Sequence, residues 1–297
     1  MKFAAIDIGS NAVRLLVEEI FDTEEGFHTQ KVSFTRIPLR LGDDVFESGQ
    51  ISKTKTAQLI KVMKAFWYLM DFHNIKMYRA CATSAMREAK NRKEVIQQVK
   101  KEAKIDIEVI EGQEEANLIF GNFFLQDIDH TKSYLYIDVG GGSTELTLIK
   151  NGERVKAKSF EIGTVRTLKG KVKDSEWISA MKWLKDLGEE EQDLTAIATG
   201  GNINRLFKMS RHTHNETITR NELEGIYDYI NSFSMDDRME KLGLKADRAD
   251  VIVPAAEIYL RILDGSGIEH VLVPRVGLSD GIILGLYQSW KAERLMI

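Results

Sequence analysis

Two stretches, DIGSNAVRLLV at residues 7–17 and DVGGGSTELTL at residues 138–148, decide the fold. Each is an apolar strand that ends in Asp, turns tightly at glycine and returns as a second apolar strand. Asp7, Gly9 and Leu15 fall on Asp138, Gly140 and Leu146 at a constant offset of 131 positions, so one slide aligns the whole hairpin. The same order of elements surrounds each copy. KFAAIDIG, VRLLVEEI and KVSFTRIPL read as three strands, followed by a helix from Thr54 to His73, a strand from Tyr78 to Ala82, and helical stretches Ser84–Lys104 and Gln113–Leu125 on either side of IDIEVI at 105–110. After the polar connection DIDHTKS the order restarts with YLYIDVG, STELTLIK and ERVKAKSFEI. It continues through a helix holding Trp177 and Trp183, the strand TAIATG, a helical tract from Arg220 to Leu263, the strand HVLVP and a helix from Ser279 onward. Each half also carries a strand ending in Ala-Thr that runs into a helix, ACATSAMRE at 80–88 and AIATGGNINR at 196–205. The reading is α/β, with duplicated domains at 1–125 and 126–297 and a cleft between them that closes about residues 125–132.

A strand-end Asp followed by a Gly turn exposes backbone N–H groups in a small concave loop that can cradle phosphate oxygens, and glycine lets the ligand approach closely. The second copy offers Gly140, Gly141 and Gly142 in a row, then the hydroxyls of Ser143 and Thr144; the first offers Ser10 and Asn11. Asp7, Asp138 and Glu145 would repel phosphate there unless a cation intervened. That argues for a divalent metal, and Mg²⁺ needs only one or two carboxylates plus phosphate oxygens and water.

Composition narrows the classes. A chain of 297 residues, 43% hydrophobic with three prolines, can bury two cores. No apolar run reaches membrane-helix length and Asp7 falls where a signal peptide would be apolar, so a cytoplasmic location and no membrane partner are expected. The formal net charge of -4 speaks against a nucleic acid polymer as partner, so a phosphate-rich substrate must be held locally. Basic residues gather at Lys150, Arg154, Lys156 and Lys158 and at Arg166, Lys169, Lys171 and Lys173, which reads equally as a solvated face. The single cysteine, Cys81, excludes an intrachain disulfide and reads as a buried core thiol. Glu189 to Glu191 read as an exposed loop, Trp177 and Trp183 as separate packing residues, and the pair His212 and His214 as too little for zinc. GxxxxGK[ST] and GxGxxG are absent, which removes Walker ATPases and Rossmann dehydrogenases.

EVIEGQEEANLIFGN sets Glu114 and Glu115 in a first helical turn, where acidic residues suit the helix dipole and a carboxylate could equally activate water for attack on phosphorus. The residues alone leave both readings open. Arg87, one turn into the helix after ATSA, could clamp phosphate in a bidentate way. Arg14 competes for that role, but its place inside a strand also suits pairing with a carboxylate.

Taken in order, DIGSNAVRLLV, CATSAMREAKN, IEGQEEANLIFGN, YIDVGGGSTEL, IGTVRTL and ATGGNINRL resemble the exopolyphosphatase and guanosine pentaphosphate phosphohydrolase family across nearly the whole chain. The resemblance implies two duplicated RNase H-like domains of the actin-like ATPase superfamily around an interdomain cleft. It implies Glu115 as catalytic base, Asp138 and Glu145 as Mg²⁺-binding and water-positioning carboxylates, Gly140 to Ser143 with Ser10 and Asn11 as phosphate holders, and Arg87 as a phosphate contact. The expected substrate is inorganic polyphosphate, with guanosine pentaphosphate as the alternative. Related phosphatases are often dimers, so a homodimer is the assembly the resemblance suggests. Three departures stand out. Ala12 replaces a serine of the first loop, Ser279 stands where arginine is common, and the chain ends where longer members add a helical region for long polymers. An ATP-binding protein of the actin or sugar-kinase kind, using the ATGGN turn, and an idle phosphate-chain sensor are the competing classes.

Overall fold

A computed structural model describes all residues except 25, 123–127, 192, 211, 214, 215, 275, 296 and 297, and the side chains of 189, 190 and 295. The expected hinge at 125–132 and His214 therefore lie wholly or partly outside the described residues. The chain forms two compact units, Met1–Leu125 with Gly277–Ile297, and Gln126–Val276.

In the first unit, β1 (Lys2–Ile8), β2 (Val13–Thr23) and β3 (Gly26–Ile37) lead into α1 (Leu41–Ser48), α2 (Lys53–Phe72), β4 (Met77–Ala82), α3 (Ser84–Glu88), α4 (Arg92–Ala103), β5 (Glu108–Val109) and α5 (Gly112–Gly121). The sheet order is β3-β2-β1-β4-β5, with β1 antiparallel to β2 and parallel to β4. Central β1 is buried from Phe3 to Ile8, as a strand covered on both faces must be, and its unbroken apolar run reflects that.

The second unit repeats this plan. It contains β6 (Ser133–Val139), β7 (Thr144–Lys150), β8 (Glu153–Phe160), α6 (Thr164–Leu168), α7 (Asp174–Glu190), β9 (Leu194–Thr199), α8 (Gly201–Met209), β10 (Thr217–Thr219), α9 (Arg220–Asn231), α10 (Met235–Glu240), α11 (Ala246–Ala249), α12 (Ile252–Ser266) and β11 (His270–Leu272), after which α13 (Leu278–Leu295) returns to the first unit. Its sheet order is β10-β11-β9-β6-β7-β8, so five strands match the first sheet one for one and β10 adds an antiparallel edge. The fold class expected from the repeat is the one observed: α/β, with the RNase H-like strand order present twice.

Several local expectations change. The helix expected over Ser84–Lys104 breaks at Asn91, whose side chain accepts from the Ile51 amide (3.0 Å) and donates to the Ile51 carbonyl (2.8 Å), a fixed bridge that a continuous helix would not hold. The tract Arg220–Leu263 becomes four helices, because Ser234 restarts the chain as an N-cap and Gly243 turns it at φ +61°. Glu189 and Glu190 end α7 rather than forming a loop, and Glu191 caps it and meets Lys150 at 2.7 Å.

The larger correction concerns the last helix. Residues 277–297 were expected in the second domain, but α13 packs on β1 and α5 of the first. Tyr287 and Trp290 stand edge-on to Phe3 with centroids 6.2 and 6.1 Å away. A methyl group at Gly281 would lie 1.9 Å from the Leu118 carbonyl oxygen, so glycine there lets the two helices touch. Asn122 donates to the Gly277 carbonyl (2.9 Å), and Asp280 caps the Gly277 amide (2.8 Å) while pairing with Lys31 (2.9 Å).

Glu18 lies opposite Lys31 in the sheet and is buried, and burial, followed by the charge of Asp280, raises its pKa to about 7 against the opposing pull of Lys31. The folded state thus holds this proton more tightly than the unfolded state. The cost of ionising Glu18 is absent below pH 4.5, grows through pH 7 and is complete above it. Glu18→Gln should therefore stabilise the protein by about 3 kcal/mol at pH 8 and by nothing near pH 4.5 in urea unfolding. Equal stabilities at pH 8 would contradict this.

Candidate active site

Both Asp-Gly loops close with the same bond at the same offset, the Gly9 amide to the Ala12 carbonyl (3.1 Å) and the Gly140 amide to the Ser143 carbonyl (2.9 Å). Each loop then has its carbonyls taken up by the protein. In the first, the Gly42 amide donates to Ser10 (2.8 Å) and the Arg40 amide to Asn11 (2.9 Å). In the second, the amides of Thr164 and Val165 donate to Gly140 (3.0 Å) and Gly141 (2.8 Å), and Arg166 Nε donates to Gly142 (2.8 Å). A turn whose carbonyls are bonded inward keeps an amide-rich edge for an anion. Gly163 makes this possible in the second loop, since a Cβ there would sit 2.4 Å from the Gly142 carbonyl carbon. Ser10, Asn11 and Ser143 are all buried at these loops, and Ser10 Oγ meets Ser84 Oγ at 2.8 Å.

The carboxylates are where the two copies diverge. Asp7 faces Arg14 directly across β1 and β2, and the two form an ion pair. Asp138 faces Glu145 directly across β6 and β7. Arg14 and Glu145 occupy the same position of the repeat, so a cation in one copy is a second carboxylate in the other. Asp7 is thereby held by a built-in positive charge. Like charges directly opposite one another destabilise a strand pair, so Asp138 and Glu145 favour a cation between them. Ser159 Oγ donates to Glu145 Oε1 (2.8 Å), and Thr199 Oγ1 donates to Asp138 Oδ1 (2.9 Å). Among the described residues no three His, Cys, Asp or Glu side chains gather as a metal cage. Two hard oxygen donors without such a cage fit Mg²⁺, which keeps waters and shares phosphate oxygens, and fit zinc poorly.

In the first unit Glu114 and Glu115 differ in their partners. Glu114 is half exposed and binds Arg79 at 2.5 Å, a surface ion pair. Glu115 is buried on the first turn of α5, with Arg87 Nη1 at 3.6 Å from its Oε2. Arg87 Nη1 also donates to the Ile110 carbonyl (2.6 Å), so the end of β5, the start of α5 and α3 are tied at one guanidinium. Arg87 and Glu115 are thus brought together. Of the competing arginines, Arg14 is committed to Asp7 and Arg87 is the one beside Glu115.

The remaining candidates resolve simply. Cys81 is buried, and burial pushes its thiol up to about 12, which leaves it an inert packing group. His212 is bracketed by Glu216 (3.3 Å) and Glu222 (2.8 Å), the latter bond raising its pKa most, and so it serves as a surface tie from Glu216 to α9. Trp177 lies under Arg261 and Trp183 stands edge-on to Phe160, consistent with packing. Reading the sequence alone missed Gly163, Thr199 and Ser84 as parts of these loops and left Arg166 undecided between a phosphate-holding cluster and a solvated face. Their signals were present in IGTVRTL, TAIATG and CATSA, but a lysine-rich neighbourhood hid the burial of Arg166.

Comparisons with known proteins show which family carries this fold. Exopolyphosphatase 1 of Mycobacterium tuberculosis is 27% identical over 96% of this chain and 88% of its own. The guanosine-5'-triphosphate,3'-diphosphate pyrophosphatase of Aeromonas hydrophila is 25% identical over 96% of this chain and 59% of its own. The crystal structure of the Aquifex aeolicus Ppx/GppA family member superposes with a TM-score of 0.77 at 25% identity, covering 98% of each chain. An exopolyphosphatase from Cytophaga hutchinsonii shares the fold at a TM-score of 0.84 and 22% identity, again over 98% of each chain. The family model described as Ppx/GppA phosphatase matches residues 19–290. With the model, the relatives and the doubled topology in agreement, the chain is a hydrolase and belongs to the Ppx/GppA phosphatase family.

Proposed function

We propose that the protein releases the terminal phosphate of inorganic polyphosphate by attack of water activated at Glu115, with Mg²⁺ at Asp138 and Glu145. The observation that carries the reading is the asymmetry of the repeat. One copy of the hairpin neutralises its Asp with Arg14, while the other doubles the negative charge with Glu145 beside three glycines whose carbonyls are bonded inward. Such a pair beside a phosphate loop is suited to a hard cation and would repel phosphate without one.

Bound there, Mg²⁺ supplies positive charge to phosphate oxygens and to the departing chain. The amide edges of Gly140 to Ser143, with Ser10 and Asn11, hold the phosphates. Glu115 accepts the proton of the attacking water as the new P–O bond forms and the bridging P–O bond breaks. Arg87, bonded to the Ile110 carbonyl and beside Glu115, fixes the carboxylate and offers a second N–H edge to phosphate.

Phosphate release from polyphosphate of graded length, beside guanosine pentaphosphate and ATP, with and without Mg²⁺, tests this. Turnover of polyphosphate that stops when the cation is chelated is expected. Faster release from guanosine pentaphosphate would move the assignment to the alternative substrate, and tight ATP binding without phosphate-chain hydrolysis would overturn it. A homodimer is proposed from the resemblance alone and is checked by light scattering. No helix among the described residues is long and apolar enough to cross a membrane.

A further inference from the structure

Asp138 is flanked on both sides of its strand end. Glu145 faces it from β7, and Thr199 faces it from β9 in the parallel register. The corresponding neighbour of Asp7 in the first unit is Cys81, so the hydroxyl is a feature of the second copy alone. Thr199 is fully buried, and its Oγ1 donates to Asp138 Oδ1 at 2.9 Å. Its carbonyl in turn accepts from Tyr259 Oη at 2.7 Å, a phenol brought in by α12 and itself buried in the core. Gly200 follows at φ +110°, and a Cβ there would sit 3.3 Å from Asp138 Oδ1 and 3.8 Å from Tyr259 Oη. Thr199 therefore bonds the carboxylate while Tyr259 bonds Thr199, and glycine at 200 leaves room beside both.

We infer that Thr199, anchored by Tyr259, is a positioning residue that orients the Asp138 carboxylate for a cation through its bond to Oδ1. The inference rests on the proposed cation role of Asp138. Hydrogen bonds to a ligating carboxylate orient it, and their loss typically weakens metal binding about 10- to 100-fold. A merely structural threonine would change stability and leave metal affinity alone.

The test is Mn²⁺ binding followed by electron paramagnetic resonance, together with the Mg²⁺ dependence of phosphate release and the thermal midpoint. Thr199→Val should weaken Mn²⁺ binding about tenfold and raise the half-saturating Mg²⁺ concentration to match, with Thr199→Ser restoring both. Tyr259→Phe should shift both the same way by about threefold. If Thr199→Val does not fold, Thr199→Cys, which copies Cys81, carries the same comparison against Thr199→Ser. Wild-type Mn²⁺ affinity in the valine or cysteine variant, or no recovery with serine, overturns the inference. Asp138→Asn separates the two levels: if it loses Mn²⁺ while Thr199→Val keeps it, the positioning role alone fails. If Asp138→Asn binds Mn²⁺ like the wild type, the cation reading fails and the inference with it.

Discussion

Glu115→Gln should lower kcat for phosphate release by about 10²- to 10⁴-fold with KM little changed, since a general base acts in the transition state and not in binding. The substitution keeps the size and hydrogen-bonding reach of the side chain and removes only its capacity to take a proton. Glu115 is buried beside Arg87 on the first turn of α5, so a loss of activity could also arise from a displaced helix. Glu114→Gln distinguishes the two cases. It alters the neighbouring carboxylate on the same turn, breaks only the surface pair with Arg79, and should leave turnover within about twofold. Unfolding by urea should be alike for all three proteins. Near-normal release from short and long polyphosphate by Glu115→Gln would remove the base from the account.

Much of the architecture was legible because the chain states it twice. An offset of 131 carries Asp7 onto Asp138, and the same offset carries the loop-closing bond of Gly9 onto that of Gly140. What the residues could not reveal depended on partners far along the chain. The last helix follows the second sheet in sequence but buries Tyr287 and Trp290 against Phe3, and only tertiary packing decides such a choice. Likewise, nothing local distinguishes Glu114 from Glu115 until Arg79 and Arg87 are placed by β4 and α3. Arg166 sat among exposed lysines in the sequence, yet it is buried and bonds the Gly142 carbonyl. The break at Asn91 came from a side-chain bridge to Ile51, forty positions away. Helix propensity alone carries no trace of it.

The account turns on a divergence between two copies of one hairpin, Asp7 with Arg14 and Asp138 with Glu145. An aspartate that faces arginine is already neutralised, whereas one that faces glutamate gains from a divalent ion. Removing one carboxylate from the second pair would take away half of the proposed donor set for a hard cation, which water replaces poorly. Mn²⁺ titration of the wild type, Asp138→Asn and Asp7→Asn, each confirmed as folded, measures this directly. Asp138→Asn should bind Mn²⁺ about 100-fold more weakly and Asp7→Asn with wild-type affinity. Loss of Mn²⁺ binding in Asp7→Asn, with retention in Asp138→Asn, would contradict it.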